Sequence, residues 1–524
     1  MSTLDGTQTS TSGSADHESS KAHSVDYEQL FEQLKHKPCR VDRIDKKYES
    51  PGRKPIRTKA SIIDRELERV YDATTLEEIH MALEEAGRNL QQLQVFRRLH
   101  MLVHEEPLDE PSLVSVLIDL EERNWYKLHA ATFVQGNGNE TSCELGLGIH
   151  NLTGNAERFD VAGEIGSERS NQFSVSHEHP KPYGLPITVN VRISQAILNH
   201  QKTSSYTEMF RGVLLGVKSF DGKKGLEYEL GWRRLTDTSG VASQAVLSQL
   251  DDYVKSAVKY VWNAGQKEVD EETGQLAGWS VRSTSEVSGL GFDRRLQFCK
   301  QVVEWQALLP VSSAVSLSLS ASAGLILPWV LPTFSGASAA GPAPSGTTLS
   351  SCIADRFFLG GPSSLRGFKF KGVGPMAARR PSQTPQVAAA ATAPSSTQSQ
   401  AGPSKPDSLG GDLQASFMAA LLFQLPQQAL RALRLQGQLF VNGGNCVQLT
   451  GRRVPVMEGV QEFSRTFRWS AGAGLVMPTL FGRFEANYVV VLSNQENDRL
   501  RRGIQLGFTA SPLMNLYHFS LALH

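Results

Sequence analysis

The sequence predicts a mainly β protein, a transmembrane β-barrel that follows one small α+β module. Helical spacing of apolar residues is confined to roughly the first 125 residues, and from about residue 127 short stretches of alternating polarity replace it, punctuated by Gly, Asn, Asp and Ser. No apolar run reaches the roughly 18 residues of a membrane helix, whereas a barrel strand needs only about 9–11 residues and barely registers in hydropathy. On pattern alone, a soluble sandwich with one wet face remains the alternative.

Composition excludes several classes of function. The 524 residues include 53 Lys+Arg and 53 Asp+Glu, a formal net charge of zero, which argues against nucleic-acid binding and against a polybasic membrane-surface binder. Hydrophobic residues make up 40%, too many for a globally disordered chain. The cysteines form no CxxC pair, so we predict free thiols rather than a disulfide scaffold or zinc ribbon. They are Cys39, Cys143, Cys299, Cys352 and Cys446.

The first 25 residues predict a disordered polar tail. They lack the basic and apolar regions of a secretory signal. They are rich in Ser and Thr, as transit peptides are, but Asp5, Asp16 and Glu18 precede the first basic residue, Lys21. The tail is therefore a poor mitochondrial presequence.

The next hundred residues predict a compact module with the order strand, helix, helix, strand. Residues 39–44 alternate in polarity, and residues 59–86 carry apolar side chains at helical spacing with a break at 72–75. Residues 90–104 read as a further helical stretch, and residues 113–120 as a strand.

Two local patterns in this module have specific interpretations. Thr75 followed by Glu78 predicts a capping box at the start of a helix. His100 and His104 are four residues apart in the predicted helical stretch, a spacing that can bind zinc. No glutamate follows His100 and no third ligand is evident, so we predict surface histidines and no metal site.

Residues 314–325 show the clearest barrel-strand pattern. One face reads Val, Leu, Leu, Ala, Ala, Leu and the other Ser and Gly, as expected for a strand between lipid and a lumen. Similar texture recurs at 144–149, 188–193, 470–475 and 504–508. Two low-complexity stretches, 335–351 and 377–406, are rich in Ala, Ser and Pro and predict loops outside the membrane wall.

The most specific segment is the string from Asp355 to Phe368. Its Gly-Gly-Pro element requires a sharp turn with unusual backbone angles, and an arginine follows between Leu365 and a Gly-Phe pair. The residues that carry the motif are Gly360, Gly361, Pro362, Leu365, Arg366, Gly367 and Phe368. The tripeptide alone is common by chance, but the complete string is specific.

This string resembles the signature of the barrel-assembly superfamily that includes bacterial BamA. It resembles most the central barrel subunits of the mitochondrial sorting and assembly machinery, the SAM complex. The likeness extends from about Cys39 to Leu513 and includes segments 147–157, 373–375, 409–412, 439–445, 468–474, 483–488 and 503–507. It implies one POTRA domain over residues 37–126 and a sixteen-stranded barrel over 127–513. Those 387 residues, less the 30 of the 377–406 insertion, leave about 22 per strand.

The resemblance also implies a site. The motif loop would fold back into the barrel lumen, and Arg366 would pair there with a carboxylate, because a planar guanidinium holds a carboxylate through two parallel hydrogen bonds. Glu485 and Asp412 are both candidate partners, and the sequence does not choose between them. The last strand, with Gln505, Leu506, Gly507 and Phe508, would form one side of a lateral seam with the first strand.

The implied function is an insertase that folds β-barrel precursors by strand pairing at that seam. It would lie in the mitochondrial outer membrane with the POTRA domain toward the intermembrane space. Its partners would be barrel precursors, peripheral SAM subunits and the lipid bilayer, with no nucleic acid. We predict no enzymatic activity, no cofactor and no metal. The alternative is a polypeptide-conducting pore of the same superfamily.

The C-terminus departs from the family pattern. Ala510 and Pro512 stand where the last strand of the family carries hydrophobic residues, and proline removes a backbone donor. Residues 514–524 follow, and we predict that they form a tail outside the strand.

Overall fold

The computed structural model divides the chain into two compact units, residues 1–123 and 124–524. It describes residues 35–49, 56–105, 113–134, 141–269, 276–291, 293–329, 351–381, 405–428, 430, 433–450, 456–479 and 482–509. No helix in these ranges is long and apolar enough to cross a membrane. The five cysteines are free thiols.

The N-terminal unit is a three-stranded sheet with two helices. Its elements are β1 (Arg40–Glu49), α1 (Ala60–Asp72), α2 (Leu76–Gln92), β2 (Phe96–Glu105) and β3 (Leu113–Glu122). The sheet order is β1-β3-β2, with β1 parallel and β2 antiparallel to β3. Alternate residues of β3, among them Val116 and Ile118, are fully buried, as are Ile63 of α1 and Ile79 of α2. The core of this unit lies between the helices and one face of the sheet.

The predicted helical stretch over 90–104 is wrong. Helix α2 ends at Gln92, Gln94 takes a left-handed backbone angle (φ +59°), and the chain then pairs along β3 as a strand. Pairing between residues distant in sequence overrides local propensity here. His100 and His104 therefore lie on a strand, not on a helix.

The predicted cap of α2 forms in a modified way. Thr75 Oγ1 accepts a hydrogen bond from the Glu78 N–H at 3.2 Å, as predicted. The Glu78 carboxylate, however, accepts from the N–H and hydroxyl of Thr74, both at 2.8 Å. These hydrogen bonds, the one from the Thr74 backbone N–H first, lower the pKa of Glu78.

The C-terminal unit is one antiparallel sheet of sixteen strands. They are β4 (Tyr126–Val134), β5 (Thr141–His150), β6 (Arg158–Gly166), β7 (Asn171–Pro180), β8 (Ile187–Asn199), β9 (Thr207–Ser219), β10 (Lys224–Thr236), β11 (Asp252–Val269), β12 (Leu276–Ser288), β13 (Phe298–Ser312), β14 (Val315–Pro328), β17 (Leu413–Gln424), β18 (Gln436–Val447), β19 (Arg468–Thr479), β20 (Gly482–Ser493) and β21 (Gly503–Thr509). Short helices α3 (Gln201–Ser204), α4 (Gln244–Leu247) and α5 (Val456–Arg465) lie in its connections.

Each strand pairs with its neighbours along the chain, so successive strands run in opposite directions. We call the end where β4 begins the near end and the opposite one the far end. Strands β4 and β21 are the two ends of the sheet order, and they do not pair with each other in the described part of the chain. The outer edges of these two strands define what we call the seam.

Side chains alternate between an apolar outer face and a polar lumen. On β20, Tyr488 is 61% exposed on the outside, whereas its neighbour Asn487 is 2% exposed inside. On β14 the leucines face outward, and a Cβ added to Gly324 on the opposite face would meet the ring of Phe357 from the connection to β17. That connection therefore lies in the lumen, and the sheet curves around it as a barrel.

Two short paired strands close the base of the long insertion. Strands β15 (Met376–Ala377) and β16 (Asp407–Ser408) pair with each other. Asp407 accepts hydrogen bonds from Ser205 Oγ at 2.6 Å, the Ser243 N–H at 2.8 Å and Arg379 Nε at 2.7 Å. The low-complexity residues 335–350 and 382–404, like the predicted tail segments 1–25 and 514–524, lie outside the described residues.

Candidate functional site

The lumen loop, residues 351–381 and 405–412 of the connection from β14 to β17, has its own apolar core. Leu359, Leu365, Phe368 and Val373 are fully buried and pack together with Cys446 of β18. Gly360 has a φ of +116°, and a Cβ there would come within 2.3 Å of the Lys369 carbonyl oxygen. The turn thus requires glycine, as the Gly-Gly-Pro element predicted.

Arg366 forms a buried ion pair with Glu485 of β20. The two side chains are 4% and 3% exposed, and Arg366 Nη2 bonds to Glu485 Oε2. The guanidinium carbon lies 4.6 Å from the centre of the Phe440 ring, a cation–π contact. Asn487 Nδ2 also donates to Glu485 Oε2, at 2.9 Å. The carboxylate therefore has both a cation and a neutral donor in a site without bulk water.

The backbone of Arg366 is held as firmly as its side chain. Ser470 Oγ of β19 donates to the Arg366 carbonyl at 2.6 Å. With its amide oriented to satisfy both atoms, Asn442 of β18 accepts from the Arg366 N–H at 2.8 Å and donates to Ser470 Oγ at 2.7 Å. Because its N–H and its carbonyl each have a partner, burial does not leave the backbone of Arg366 unsatisfied.

Of the two carboxylates proposed from the sequence, Glu485 contacts Arg366. Asp412, fully buried, accepts instead from the hydroxyl of Ser351 and from the Thr450 N–H, the latter at 2.9 Å. Asp412 therefore joins the beginning of the lumen loop to the beginning of the β18–β19 connection. Arg366 lies further toward the near end than Asp412.

The last strand contacts the loop through its lumen face. Gln505 Oε1 accepts from the Gly367 N–H at 3.2 Å, and its amide donates to the Arg501 carbonyl at 2.8 Å. A Cβ added to Gly507 would lie 2.8 Å from Pro362. Leu506 points the other way and is 61% exposed. Backbone pairing places Phe508 opposite Phe484 of β20.

The connector that leads into β21 pairs with the loop through backbone atoms. The Lys369 N–H donates to the Arg499 carbonyl at 2.8 Å, and the Arg499 N–H donates to the Gly372 carbonyl at 2.9 Å. The Arg501 N–H donates to the Gly367 carbonyl at 2.8 Å. The loop and the start of the last strand therefore form one hydrogen-bonded unit, a contact that no side-chain motif in the sequence signals.

A second buried charge holds the beginning of the loop. Asp355 Oδ2 accepts from Arg233 Nη1 of β10 at 2.8 Å, and Oδ1 lies 3.3 Å from Lys255 Nζ of β11. Lys300 of β13 donates to the Asp355 carbonyl at 2.8 Å. In the sequence Asp355 only begins the motif, and its role could not be predicted there because its three cations come from three separate strands.

The arrangement provides attachment, not bond chemistry. Asp355 fixes the loop to β10, β11 and β13 near the far end. Arg366, which also contacts Met418 of β17, and Gly367 fix it to β17–β21 deep in the lumen. Buried ion pairs of this kind contribute little net stability, since desolvation offsets attraction, but breaking one leaves a costly unpaired charge. The loop therefore holds a defined position across the barrel, next to one side of the seam.

These features define a class: an outer-membrane-type β-barrel with a long far-end loop fixed inside its lumen by buried charges. The Omp85 superfamily domain matches residues 151–511. The chain belongs to the Omp85 superfamily, and the resemblance and the mainly β, sixteen-stranded fold predicted from the sequence are confirmed.

Named relatives and a solved structure agree with this assignment. The chain is 27% identical over 467 residues to the sorting and assembly machinery component 50 homolog of Bos taurus, covering 86% of this chain and 87% of that protein. It is 26% identical over 461 residues to the Homo sapiens homolog, covering 86% and 87%. The crystal structure of BamA from Haemophilus ducreyi lacking POTRA domains 1–3 has a TM-score of 0.62 at 14% identity, covering 90% of this chain and 85% of that one. At that identity, the structural likeness supports the fold.

Proposed function

We propose that this chain is a β-barrel insertase of the mitochondrial outer membrane. The observation that carries the proposal is the last strand, which is attached to the lumen loop on its inner face and has an outer edge without a partner strand in the described residues. Such an edge offers a row of backbone donors and acceptors to an incoming strand. The named relatives are components of a sorting and assembly machinery, which agrees with this role.

The proposed mechanism is strand addition at the seam. In lipid an unpaired backbone N–H or C=O group is costly, so a precursor strand that pairs with β21 lowers the free energy of both partners. The lumen loop keeps β21 in place while its edge is used, because Gln505 and the 499–501 connector are hydrogen-bonded to it. No covalent bond forms or breaks, and the proposed activity is not enzymatic.

The proposed partners and location rest on the likeness to the sorting and assembly machinery components. The chain would act within a membrane-embedded assembly complex, with peripheral subunits of the SAM type and barrel precursors as partners. The N-terminal unit would be a POTRA domain that faces the intermembrane space and receives precursors there.

Disulfide crosslinking in a variant without native cysteines tests the proposal. Single cysteines replace Ile504 or Leu506 on the outer face of β21, and a precursor carries single cysteines along its C-terminal strand. We expect disulfides that recur every second precursor residue, because side chains on one face of a strand have a period of two. Ser320, on the lumen face of β14, provides the matched control. Crosslinks at Ser320 without any at Leu506 would instead support a polypeptide-conducting pore.

A further inference from the structure

The outer wall carries two arginines near the far end. Arg211 of β9 and Arg234 of β10 lie on the outward face, since their strands alternate with the lumen residues Phe210 and Arg233. Trp232 is paired with Arg211 across the strands, and the guanidinium carbons of Arg211 and Arg234 lie 6.0 Å and 4.6 Å from its ring centre.

The two arginines differ in their counter-charge. Arg234 forms two hydrogen bonds to Asp252 of β11, from Nε at 2.7 Å and from Nη2 at 2.8 Å. Arg211 is exposed and makes no ion pair or hydrogen bond to any described residue. A guanidinium on a lipid-facing wall is costly without an anion, and the cost increases with depth.

The surface next to Arg211 suits an acyl chain. Toward the near end, the outward residues Val213, Leu215 and Val217 of β9 and Leu230 of β10 are all at least partly exposed and entirely apolar. A ligand for this surface must bring an anion to Arg211 and hydrocarbon to the leucines and valines below it. A tryptophan beside the cation is also typical of the depth at which lipid headgroups lie.

We propose that Arg211, with Trp232 and Arg234, binds the phosphate of an anionic glycerophospholipid against the outer wall of the barrel. The lipid's acyl chains lie along β9 and β10 in the leaflet at the far end. Arg211 supplies the uncompensated charge, and Arg234, kept in position by Asp252, supplies the second side of the headgroup site. This site requires only that the barrel spans a bilayer, so it stands independently of the insertase proposal.

Fluorescence quenching by brominated lipids tests the site in the full-length chain. The protein is reconstituted in phosphatidylcholine vesicles that contain increasing fractions of dibrominated phosphatidylglycerol. The half-quenching fraction, the fraction of brominated lipid at which half of the tryptophan fluorescence is lost, is measured for the unsubstituted protein (the parent), Arg211→Gln and Arg211→Lys. Lys224→Gln is the control, because Lys224 is an outward cation at the other end of β10. We expect the half-quenching fraction to rise about fivefold in Arg211→Gln, given the usual contribution of one basic residue to anionic lipid binding.

The remaining variants and lipids distinguish the proposal from its alternatives. Arg211→Lys and Lys224→Gln should stay within about twofold of the parent, and dibrominated phosphatidylcholine should quench all four proteins equally. Loss of the phosphatidylglycerol preference on addition of millimolar inorganic phosphate would show a free-phosphate site and overturn the proposal. Equal half-quenching fractions for Arg211→Gln and the parent would overturn it as well. Removal of a lipid-facing charge does not threaten folding, and Arg211→Lys provides a second folded variant.

Discussion

Arg366 shows how one residue can combine charge, shape and backbone contacts in a buried place. Its guanidinium meets Glu485 and the face of Phe440, and its N–H and carbonyl are bound by Asn442 and Ser470. A lysine could supply the charge, but not the planar contact with the ring. The position therefore depends on arginine specifically.

Arg366→Ala should impair barrel assembly. The substitution leaves Glu485 buried without its cation, which costs about 3–5 kcal/mol for pairs of this type, and the part of the loop around residue 366 should leave its place. The measurement is the rate at which outer-membrane barrels assemble in mitochondria that depend on the variant. Arg366→Lys should retain part of the rate. Normal assembly with Arg366→Ala would remove the role assigned to this residue.

Gly360→Ala should destabilise the lumen loop far more than Gly222→Ala, a control in the turn between β9 and β10. Both glycines have positive φ angles, +116° at Gly360 and +72° at Gly222, so an alanine is strained by about 1–3 kcal/mol at either position. Only at Gly360 does the added Cβ meet backbone, the Lys369 carbonyl oxygen, whereas nothing lies within 4 Å at Gly222. Protease cleavage of the loop in the folded barrel measures the difference. Equal cleavage of the two variants would show that this close approach is unimportant.

At the scale of elements, the lumen loop is attached at two places that belong to different strands. Asp355 binds the β10–β13 region, and Arg366 binds the last strands. Each attachment should therefore act on its own part of the loop.

Hydrogen exchange should separate the two attachments. Asp355→Asn should increase amide exchange in residues 351–359 and leave 365–373 protected, because the latter keep their backbone bonds to 499–501. Arg366→Ala should increase exchange next to the lost ion pair, in residues 365–367, and leave 351–359 protected, because Asp355 keeps its three cations. Glu144→Gln on β5 is the control, because Glu144 pairs with His129 and makes no hydrogen bond or ion pair to the described part of the loop. Equal loss of protection throughout the loop in both variants would mean that it opens as a single unit.

Helix α2 should show pH-dependent stability at its first turn. The hydrogen bonds from Thr74 lower the pKa of Glu78 in the folded chain, so its stabilising effect is present above the unfolded pKa and is lost as pH falls through the folded one. Exchange protection of residues 76–79 should exceed that of Glu78→Gln at pH 6.5. The two proteins should converge once the pH falls below the lowered pKa of Glu78 in the folded chain. A constant difference across this range would contradict the cap.

The sequence predicted elements best where the pattern is local and repeated. The Ser-and-Leu alternation of β14 and the Gly-Gly-Pro turn both follow from local backbone and side-chain preferences. Strand β2 was missed because its partner lies on β3, beyond the reach of local periodicity. The choice of Glu485 over Asp412 depended on how far the loop reaches into the lumen, which no spacing in the sequence encodes.

At the scale of the whole molecule, the 377–406 insertion should be separable from the fold. Its ends meet in the β15–β16 pair, and Asp407 binds Ser205, Ser243 and Arg379. The insertion therefore enters and leaves the barrel at one fixed point.

Replacing residues 382–404 with about eight Gly and Ser residues should leave barrel stability nearly unchanged. Loop-closure entropy predicts a shift of only about 1 kcal/mol. The temperature at which the folded band is lost on a semi-native gel measures it. Replacing 376–408 with the same linker should lower that temperature, because Asp407 is removed. A large loss with the shorter replacement would show that the insertion contributes to the fold.

The order of strands in the sheet has a geometric consequence. A guest strand that enters between β21 and β4 lengthens the circumference of the ring at a single point. Both attachments of the lumen loop, at β10–β13 and at β17–β21, lie on the arc of paired strands from β4 to β21, which entry at that point does not interrupt. The ring can therefore grow by two, four or more strands while the distances along the arc that hold its interior plug stay constant. Enlargement of the perimeter and retention of the plug are compatible in this architecture.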